Sequence, residues 1–361
     1  MKIPTLQRYL AHQIWGAVGF VLVGFLALFA FFDLIAELRD LGTGDYGLRP
    51  ILTVVLLWIP AHAYELMPVA VLIGTLYVLA HLSSNSEYTV MRTAGLSPLR
   101  AGIVLTRVGI PFVIATFALG EWVAPYADAA AQTVRMRALN SLIQGGQDLS
   151  SGLWFKDGRS FINVREARVS SLLSDVRIYE FDTAYRLRML TLAERAEYSG
   201  GGAWRLVGVA RTQYTEKGPR TERHADAEWR SAVSPDLLNV LIVVPERMSA
   251  WKLYQYAQHL SANRQKTERY EIAMWKKLLY PFATLVMMAL ALPFAYMDAR
   301  FGMVGVKVFF GILLGIFFHM LNSLFSHIGL LQNWPPVAAA VVPSATFLLA
   351  AAAMMWSVDR R

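Results

Sequence analysis

The sequence predicts an α-helical membrane protein that carries one all-β domain, with three transmembrane helices before the domain and three after it. Of the 361 residues, 55% are apolar and 17% are charged, whereas soluble domains average about 25% charged residues. The apolar residues are concentrated in six blocks, each long enough to cross a hydrocarbon layer of about 30 Å. Between the third and fourth blocks, the composition is that of an ordinary soluble domain and the pattern is rich in short strands.

The six blocks define three units along the chain. Residues 1–125 hold spans one to three, residues 126–275 form the soluble domain and residues 276–361 hold spans four to six. Span two is unusually long and contains Pro60 and Pro68, each of which removes a helix hydrogen bond and favours a kink. The predicted spans are Ile14–Phe32, Ile51–Leu82, Ile103–Val123, Leu278–Met297, Val304–Ile328 and Val337–Trp356.

Lysine and arginine in the short loops predict the orientation, because such residues accumulate on the cytoplasmic side. With six spans, most short-loop basic residues fall on the side that holds both termini. We therefore expect cytoplasmic termini, a periplasmic soluble domain and a first span that stays uncleaved as an inner-membrane anchor. The basic residues on this side are Lys2, Arg8, Arg92, Arg100, Arg107, Arg300, Lys307, Arg360 and Arg361.

Composition also narrows the classes of function. The chain has no cysteine, so it can form neither a disulfide nor a thiolate metal site. Its net charge of +8 follows from basic membrane loops, and nucleic-acid binding is not predicted. The sequence has no G-x-x-x-x-G-K-[ST] phosphate-binding motif, no G-x-S-x-G motif and no apparent catalytic triad. We predict a non-enzymatic protein without a cofactor, while a membrane-anchored enzyme and a passive scaffold stay open as alternatives.

Short strands separated by turn signals predict a sandwich or jelly roll for the soluble domain. The clearest hairpin is Gly152–Val164, with a turn at Asp157-Gly158. Helices are predicted on both sides of the sheet, at Tyr126–Leu142 and Ser249–Lys277. Further predicted strands are Asp175–Asp182, Arg186–Ala193 and Trp204–Ala210.

The loop between spans two and three carries helix signals at both ends. Ser84-x-x-Glu87 reads as a capping box, and Gly95 suits a helix C-terminus, with Pro98 just beyond. These signals predict a short helix at about Asn85–Ala94 on the membrane surface. The helix is either a plain connector or a coupling helix that docks on a cytoplasmic motor.

Two further patterns in the spans admit functional and structural explanations. His62 and Glu65 share a helix face and, with His319 and His327, could form a metal or proton site; packed or solvated side chains are the favoured explanation. On span five, Gly311-x-x-x-Gly315 permits close contact between helices.

Several local segments, together with this layout, resemble the LptF/LptG permease family of the lipopolysaccharide exporter, and the LptG branch more than the LptF branch. The resemblance covers essentially the whole chain, although the LptF branch remains an alternative. The matching segments are Gly42-Thr43-Gly44-Asp45-Tyr46, Ser86-Glu87 through Gly95, Gly120-Glu121-Trp122-Val123-Ala124-Pro125, Gly152-Leu153-Trp154, Lys156-Asp157-Gly158, Ser234-Pro235-Asp236-Leu237 and Met274-Trp275-x-Lys277.

The resemblance implies a permease subunit of an ABC-type exporter with a periplasmic β-jelly roll. Its partners would be an LptF subunit, an LptB ATPase dimer that supplies ATP hydrolysis, and LptC. The substrate, lipopolysaccharide, would enter a cavity from the inner membrane and leave through the jelly rolls toward the periplasmic bridge.

The resemblance also implies roles for individual residues. Coupling to the ATPase is expected for Glu87, Tyr88, Met91, Arg92 and Gly95. Lipopolysaccharide contacts are expected for Arg39, Arg135, Arg137, Phe25, Phe29, Phe317 and Leu321. The sequence departs from the family at Asp33 and Asp40, where the family usually has basic residues. This departure weakens the expectation of a phosphate clamp at the end of span one.

Overall fold

The computed structural model describes residues 3–139, 153–168, 172–183, 185–215, 218–231, 245–262, 265–296, 304–332 and 334–359. Six helices in these ranges are long and apolar enough to cross a membrane. The predicted six spans are therefore confirmed, and most of the helices extend beyond the apolar blocks. The predicted strand residue Gly152 and the segments 140–142 and 234–237 lie outside the described residues.

The first half of the chain is helical and has two local irregularities. A 3₁₀ turn, Leu38–Asp40, ends the first helix. A π turn, Leu119–Val123, joins the fourth helix to the fifth without a break, so span three continues toward the soluble domain as predicted. The helices are α1 Ile3–Glu37, α2 Leu48–Ser84, α3 Glu87–Thr93, α4 Pro98–Ala118 and α5 Ala124–Ala138.

The second half returns to the membrane through two helices rather than one. The predicted single helix Ser249–Lys277 is wrong, because it is interrupted after Ala262 and the two parts pack on each other. The rings of Tyr256 and Tyr270 meet edge to face, with centroids 4.6 Å apart. The helices are α6 Ala250–Ala262, α7 Glu268–Leu279, α8 Ala283–Ala291, α9 Pro293–Tyr296, α10 Val304–Leu331 and α11 Pro336–Asp359.

Helix α2 lies at the centre of the bundle, and small residues let its neighbours approach closely. A Cβ at Gly74 would lie 2.7 Å from the backbone nitrogen of Val18 on α1, and a Cβ at Gly315 would lie 2.6 Å from Val69. A Cβ at Gly311 would lie 3.1 Å from Leu76. The Gly311-x-x-x-Gly315 pattern thus brings α10 against α2, as predicted.

The two halves of α1 are packed very differently. Leu6, Leu10, Ile14 and Val18 recur every four residues and are at most 6% exposed, so one stripe of the first half lies against the bundle. After Val18, no residue of α1 is buried until Glu37.

The soluble part contains six described strands in one antiparallel sheet. They pair in the order β1-β2-β3-β4-β5-β6, which confirms a β-rich domain between the two sets of spans. Gly158 has φ +58 in the turn between β1 and β2, as the Asp-Gly signal predicts. A jelly roll also needs connections between non-adjacent strands, so it stays a prediction. The strands are β1 Leu153–Asp157, β2 Ser160–Arg168, β3 Leu172–Phe181, β4 Leu187–Gly200, β5 Ala203–Thr215 and β6 Gly218–Arg230.

Strands β3, β4 and β5 share an irregularity, which we call the crease. Residues on one face of a strand are normally two apart, but in each of these strands two buried residues are three apart, because one extra residue lies between them. Two of the extra residues, Asp175 and Gly208, have positive φ. The extra residue keeps the core side chains on the same face along the whole strand. The pairs are Leu173 and Val176, Ala193 and Ala196, and Leu206 and Val209.

Candidate functional site

Two clusters of predicted site residues lie at opposite ends of the bundle. We call the end from which α5 leads to the sheet the sheet side, and the end that holds α3 the α3 side. Helix α3 is the short helix predicted in the loop, but its N-terminus differs from the prediction. Ser84 donates to the carbonyl of His81 at 2.8 Å, and Ser86 takes the N-cap position at φ 61 without a side-chain cap. The capping-box assignment of Ser84 and Glu87 is therefore wrong.

The C-terminus of α3 follows the prediction. Gly95 has φ +95, and its N–H donates to Arg92 O at 2.9 Å, while the N–H of Leu96 donates to Met91 O at 3.1 Å. These two bonds form a Schellman motif, in which glycine supplies the left-handed residue. The motif directs the chain away from α3 and into α4.

The predicted coupling residues form the attachment of α3 to the bundle. Tyr88 is 2% exposed, and its ring meets that of Tyr296 edge to face at 5.1 Å. Burial, followed by the neighbouring Tyr296, raises the pKa of Tyr88 above its usual range, so its hydroxyl stays neutral. Met91 is also buried, and the Arg92 guanidinium lies 5.0 Å from the centre of the Tyr296 ring.

Glu87 joins α3 to the first helix. Its Oε2 accepts a hydrogen bond from the Tyr9 hydroxyl at 2.8 Å. The carboxylate thus has a partner on α1 even though it caps no helix. A group with this environment can bind a cationic or donor group of a partner protein if it exchanges or shares that bond.

The sequence analysis missed the outward face of this region. Val90 is 65% exposed and Leu99 is 76% exposed, whereas Tyr88 and Met91 point inward. An exposed aliphatic side chain on the same short helix as the exposed Arg92 suits a protein-docking surface. The period of α3 could have revealed this, because Val90 falls opposite its buried residues.

On the sheet side, α1 ends in a compact charge cluster. Glu37 is 5% exposed and accepts from Arg135 Nε at 3.0 Å and from the hydroxyl of Tyr46. Arg135 Nη2 also donates to Asp40 at 2.6 Å. Burial, with the carboxylate of Glu37, raises the pKa of Tyr46 above its usual range. The predicted lipid-binding Arg135 is therefore already compensated by two carboxylates.

The Gly42–Tyr46 segment explains how the cluster is built. Gly42 and Gly44 have φ of +85 and +59, a conformation that glycine adopts without strain. The resulting turn lets Asp45 N–H donate to Ala138 O at 2.8 Å, and the side chain of Tyr46 is completely buried. The loop after α1 is thus attached to the end of α5.

Asp33 and His62 form a second connection between α1 and its neighbours. Asp33 Oδ2 lies 2.7 Å from His62 Nε2, and the ring of Phe29 lies 5.1 Å from that of His62. Within the described ranges, no three His, Cys, Asp or Glu residues could hold a metal ion together. In the structure, His62 is a partly buried residue that pairs with Asp33 and packs on Phe29.

The remaining predicted lipid contacts are scattered over the bundle. Arg39 and Arg137 are exposed and form no ion pair with any residue that the structure describes. Phe29 and Phe317 are also exposed, whereas Phe25 is half-buried and Leu321 packs partly against the core. The ring of Phe317 lies 6.1 Å from that of Phe347 on α11.

Comparison with known proteins identifies the architecture. The profile of the family described as "Lipopolysaccharide export system permease LptF/LptG" matches residues 8–357. This chain belongs to the LptF/LptG family. It is 31% identical over 357 residues to the lipopolysaccharide export system permease protein LptG of Haemophilus influenzae, with 98% of each chain covered. It is 30% identical over 361 residues to LptG of Escherichia coli K12, covering 99% of this chain and 98% of that protein.

Membership of the LptF/LptG family agrees with the six helices and the intervening sheet. The relatives match along their whole length, so the two sets of spans and the sheet are features of one family architecture. LptG is the better-fitting branch, as the local segments indicated. The chain is thus a multi-pass inner-membrane protein of a permease family.

Proposed function

We propose that this chain is the LptG-type permease subunit of an ABC-type exporter that extracts lipopolysaccharide from the inner membrane. The observation that carries the proposal is α3. This helix is fixed to the bundle by Tyr88 and Met91 and presents Val90 outward, and Leu99 at the start of α4 is also exposed. Such a rigidly attached helix can transmit movement of a bound motor to the spans.

The motor is a partner, because the sequence lacks a phosphate-binding loop. We assign ATP hydrolysis to an LptB dimer and the other half of the substrate cavity to LptF. LptC receives the lipid. In this arrangement the termini and α3 lie in the cytoplasm, residues 126–275 lie in the periplasm, and residues 1–125 and 276–361 cross the membrane.

A lipid substrate needs an apolar wall and a polar rim. Phe29 and Phe317 are exposed on two spans and supply the apolar wall, together with Phe25 and Leu321. Of the three predicted arginines, Arg39 and Arg137 are the ones without a carboxylate partner among the described residues, so we assign phosphate recognition to them. Arg135 instead holds α1 against α5.

The sheet also carries apolar side chains on its second face. Trp154 and Tyr179 stack at 5.6 Å, and Phe161 and Phe181 meet edge to face at 5.6 Å. Trp154 is 48% exposed and Phe161 is 39% exposed. An exposed aromatic strip of this kind can shield acyl chains from water, which supports passage of the lipid along the sheet.

The decisive experiment is reconstitution of the chain with LptF, LptB and LptC in proteoliposomes that contain lipopolysaccharide. We expect ATP-dependent release of lipopolysaccharide to an acceptor protein. Val90→Asp should reduce release about tenfold, since a carboxylate in a desolvated interface costs more than 1 kcal/mol. The matched control is Ser84→Asp, which places the same charge at an exposed site on the end of α2.

A second variant separates coupling from mere connection. Glu87→Gln keeps an acceptor for the Tyr9 hydroxyl but removes the charge, so the fold should persist while ATP-driven release falls. If both Glu87→Gln and Val90→Asp release lipopolysaccharide as fast as the unsubstituted chain does, a passive scaffold would be favoured. ATP hydrolysis by the purified chain alone would instead favour an enzyme.

A further inference from the structure

A row of exposed side chains runs along α4 and continues past the π turn onto α5. Large apolar residues on α4 are exposed at spacings of four and three, which places them on one helix face. Trp122 is 61% exposed and Tyr126 is 69% exposed, and both continue the row beyond α4. The α4 members of the row are Ile110, Ile114 and Phe117.

The π turn keeps this row in line. From Phe117 to Trp122 the step is five residues, which in a regular α-helix would rotate the side chain well away from the row. The Leu119–Val123 π turn adds one residue to the turn. Trp122 therefore follows Phe117 on the same face, and the two rings meet edge to face at 6.3 Å.

Helix α6 adds to the same surface. Trp251 is 62% exposed and Tyr254 is 43% exposed, and their rings stack at 5.9 Å. The ammonium of Lys252 lies 5.8 Å from the centre of the Tyr126 ring. The start of α6 is thus adjacent to the end of the row on span three.

A carboxylate from the π turn fixes this position. Glu121 accepts from the N–H of Ala250 at 2.7 Å and from the N–H of Trp251 at 3.1 Å. These N–H groups belong to the first two residues of α6. A negative charge at this end of the helix also interacts favourably with the helix dipole. The first turn of α6 is therefore tied to the membrane-spanning helix at the level of Glu121.

We propose that Trp122, Tyr126, Trp251, Tyr254 and Lys252 form an aromatic anchor that lies in the lipid headgroup layer on the sheet side. Tryptophan and tyrosine favour this layer, because their rings are apolar while their N–H and O–H groups need polar partners. The adjacent lysine adds attraction for anionic headgroups. The occupant is the bilayer, because the surface continues a row of exposed apolar side chains on a helix that is long and apolar enough to cross a membrane.

The anchor has a mechanical consequence. It fixes the start of α6, the helix that follows the sheet in the chain, at the membrane surface. The first turn of α6 is then held at a constant height above the bilayer through the Glu121 bonds and the aromatic residues together.

Site-directed spin labelling tests the proposal directly, since the chain has no cysteine and each introduced cysteine is the single labelling site in it. The complex that contains the unsubstituted chain, treated with the same reagent, gives the background from the other subunits. Nitroxides are placed at Trp251→Cys and, as a second position on the same surface, at Tyr126→Cys. Ile114→Cys is the hydrocarbon control and Glu222→Cys, on the exposed face of β6, is the aqueous control. The full chain, with the subunits that co-purify with it, is reconstituted in phosphatidylethanolamine and phosphatidylglycerol vesicles.

The measured quantity is the collision rate of each nitroxide with oxygen and with a water-soluble nickel chelate. We expect the oxygen-to-nickel ratio at Trp251→Cys and Tyr126→Cys to lie between those of the two controls. A ratio equal to that of Glu222→Cys would place the surface in water and overturn the proposal. Low collision rates with both reagents would show a covering protein, and a ratio equal to that of Ile114→Cys would show insertion into hydrocarbon; each also overturns it.

Discussion

The two halves of α1 are held to the rest of the protein by different forces. The half on the α3 side buries Leu6, Leu10, Ile14 and Val18 and meets Gly74 of α2 at backbone distance. The half on the sheet side has no buried residue between Val18 and Glu37. Charged connections to α2 and α5 hold its end instead.

This difference shows which half of α1 can move. Close-packed apolar surfaces cannot separate without losing many contacts at once. The sheet-side half is held instead by a few polar contacts, which can break one at a time, although breaking the pair of the buried Glu37 has its own cost. We therefore expect the sheet-side half of α1 to be displaced more easily than the packed half.

Of the substitutions proposed here, Arg135→Met should lower the free energy of unfolding the most. It leaves Glu37 buried with only the Tyr46 hydroxyl as partner, and an uncompensated buried charge costs about 3 kcal/mol. Chemical unfolding in detergent micelles measures the loss of unfolding free energy. The control Arg137→Met removes an exposed arginine and should change nothing; equal losses for the two variants would show that the cluster contributes no stability.

Gly74→Ala should have the next largest effect, at the packed half of α1. The new methyl would lie 2.7 Å from the nitrogen of Val18 and 2.8 Å from its Cα, and backbone atoms cannot rotate away. We expect a loss of about 2 kcal/mol, typical of an overpacked core, in the same unfolding measurement. At Gly102 the nearest atom would be 4.0 Å away, so Gly102→Ala is the matched control. If both substitutions are equally tolerated, the close approach of α1 and α2 is wrong.

Asp33→Asn should have a smaller effect at the sheet-side half. Asparagine can still accept from His62, so the variant loses the charge but keeps a hydrogen bond. Because both side chains are only about 20% exposed, and a hydrogen bond to a charged acceptor contributes more than one to a neutral acceptor, we expect a cost of about 1 kcal/mol in the same unfolding measurement. Asp45→Asn, at an exposed position, is the control. Equal unfolding free energies for Asp33→Asn and Asp45→Asn would argue against a role for the Asp33–His62 contact.

Tyr9→Phe should have the smallest effect. It removes the hydroxyl that donates to Glu87 at 2.8 Å, and an exposed hydrogen bond contributes about 0.5 kcal/mol. Thermal unfolding should barely change, whereas the activity of the reconstituted exporter should change if Glu87 is freed for a partner. Tyr77→Phe is the control; its ring is also exposed but stacks on His81. A large loss of stability in Tyr9→Phe would contradict the view that apolar packing alone holds this half.

The sequence predicts the helices and the hairpin well, because apolar length and turn chemistry are local properties. It predicts the strands less well, because the crease breaks the period of two. The predicted strands start at Asp175 and stop at Ala193, next to the extra residues of the crease. Strand β6 was missed entirely, since GPRTERHADAEWR is mostly polar. It pairs with β5 along its whole length, while Ala227 and Trp229 near its end pack partly against the core.

Tertiary partners could not be predicted from the sequence. Arg135 pairs with Glu37 across 98 residues, and His62 pairs with Asp33 across 29 residues. No local pattern links such positions. The acids at Asp33 and Asp40 looked like lost lipid contacts, whereas the structure uses them to hold the end of α1. The capping-box prediction was wrong for a local reason. Ser86 adopts a left-handed conformation, which the sequence motif does not indicate.

The extra residue in the π turn sets the rotational phase between α4 and α5. If the same residues of Leu119–Val123 formed a regular α-helix, α5 would be rotated by about 100° relative to α4. Arg135 would then face away from Glu37, and Tyr126 would leave the row that contains Phe117. A single backbone irregularity thus keeps the charge cluster and the aromatic anchor in register, so deleting one residue here, which restores a regular helix with the same phase, should be tolerated better than inserting one.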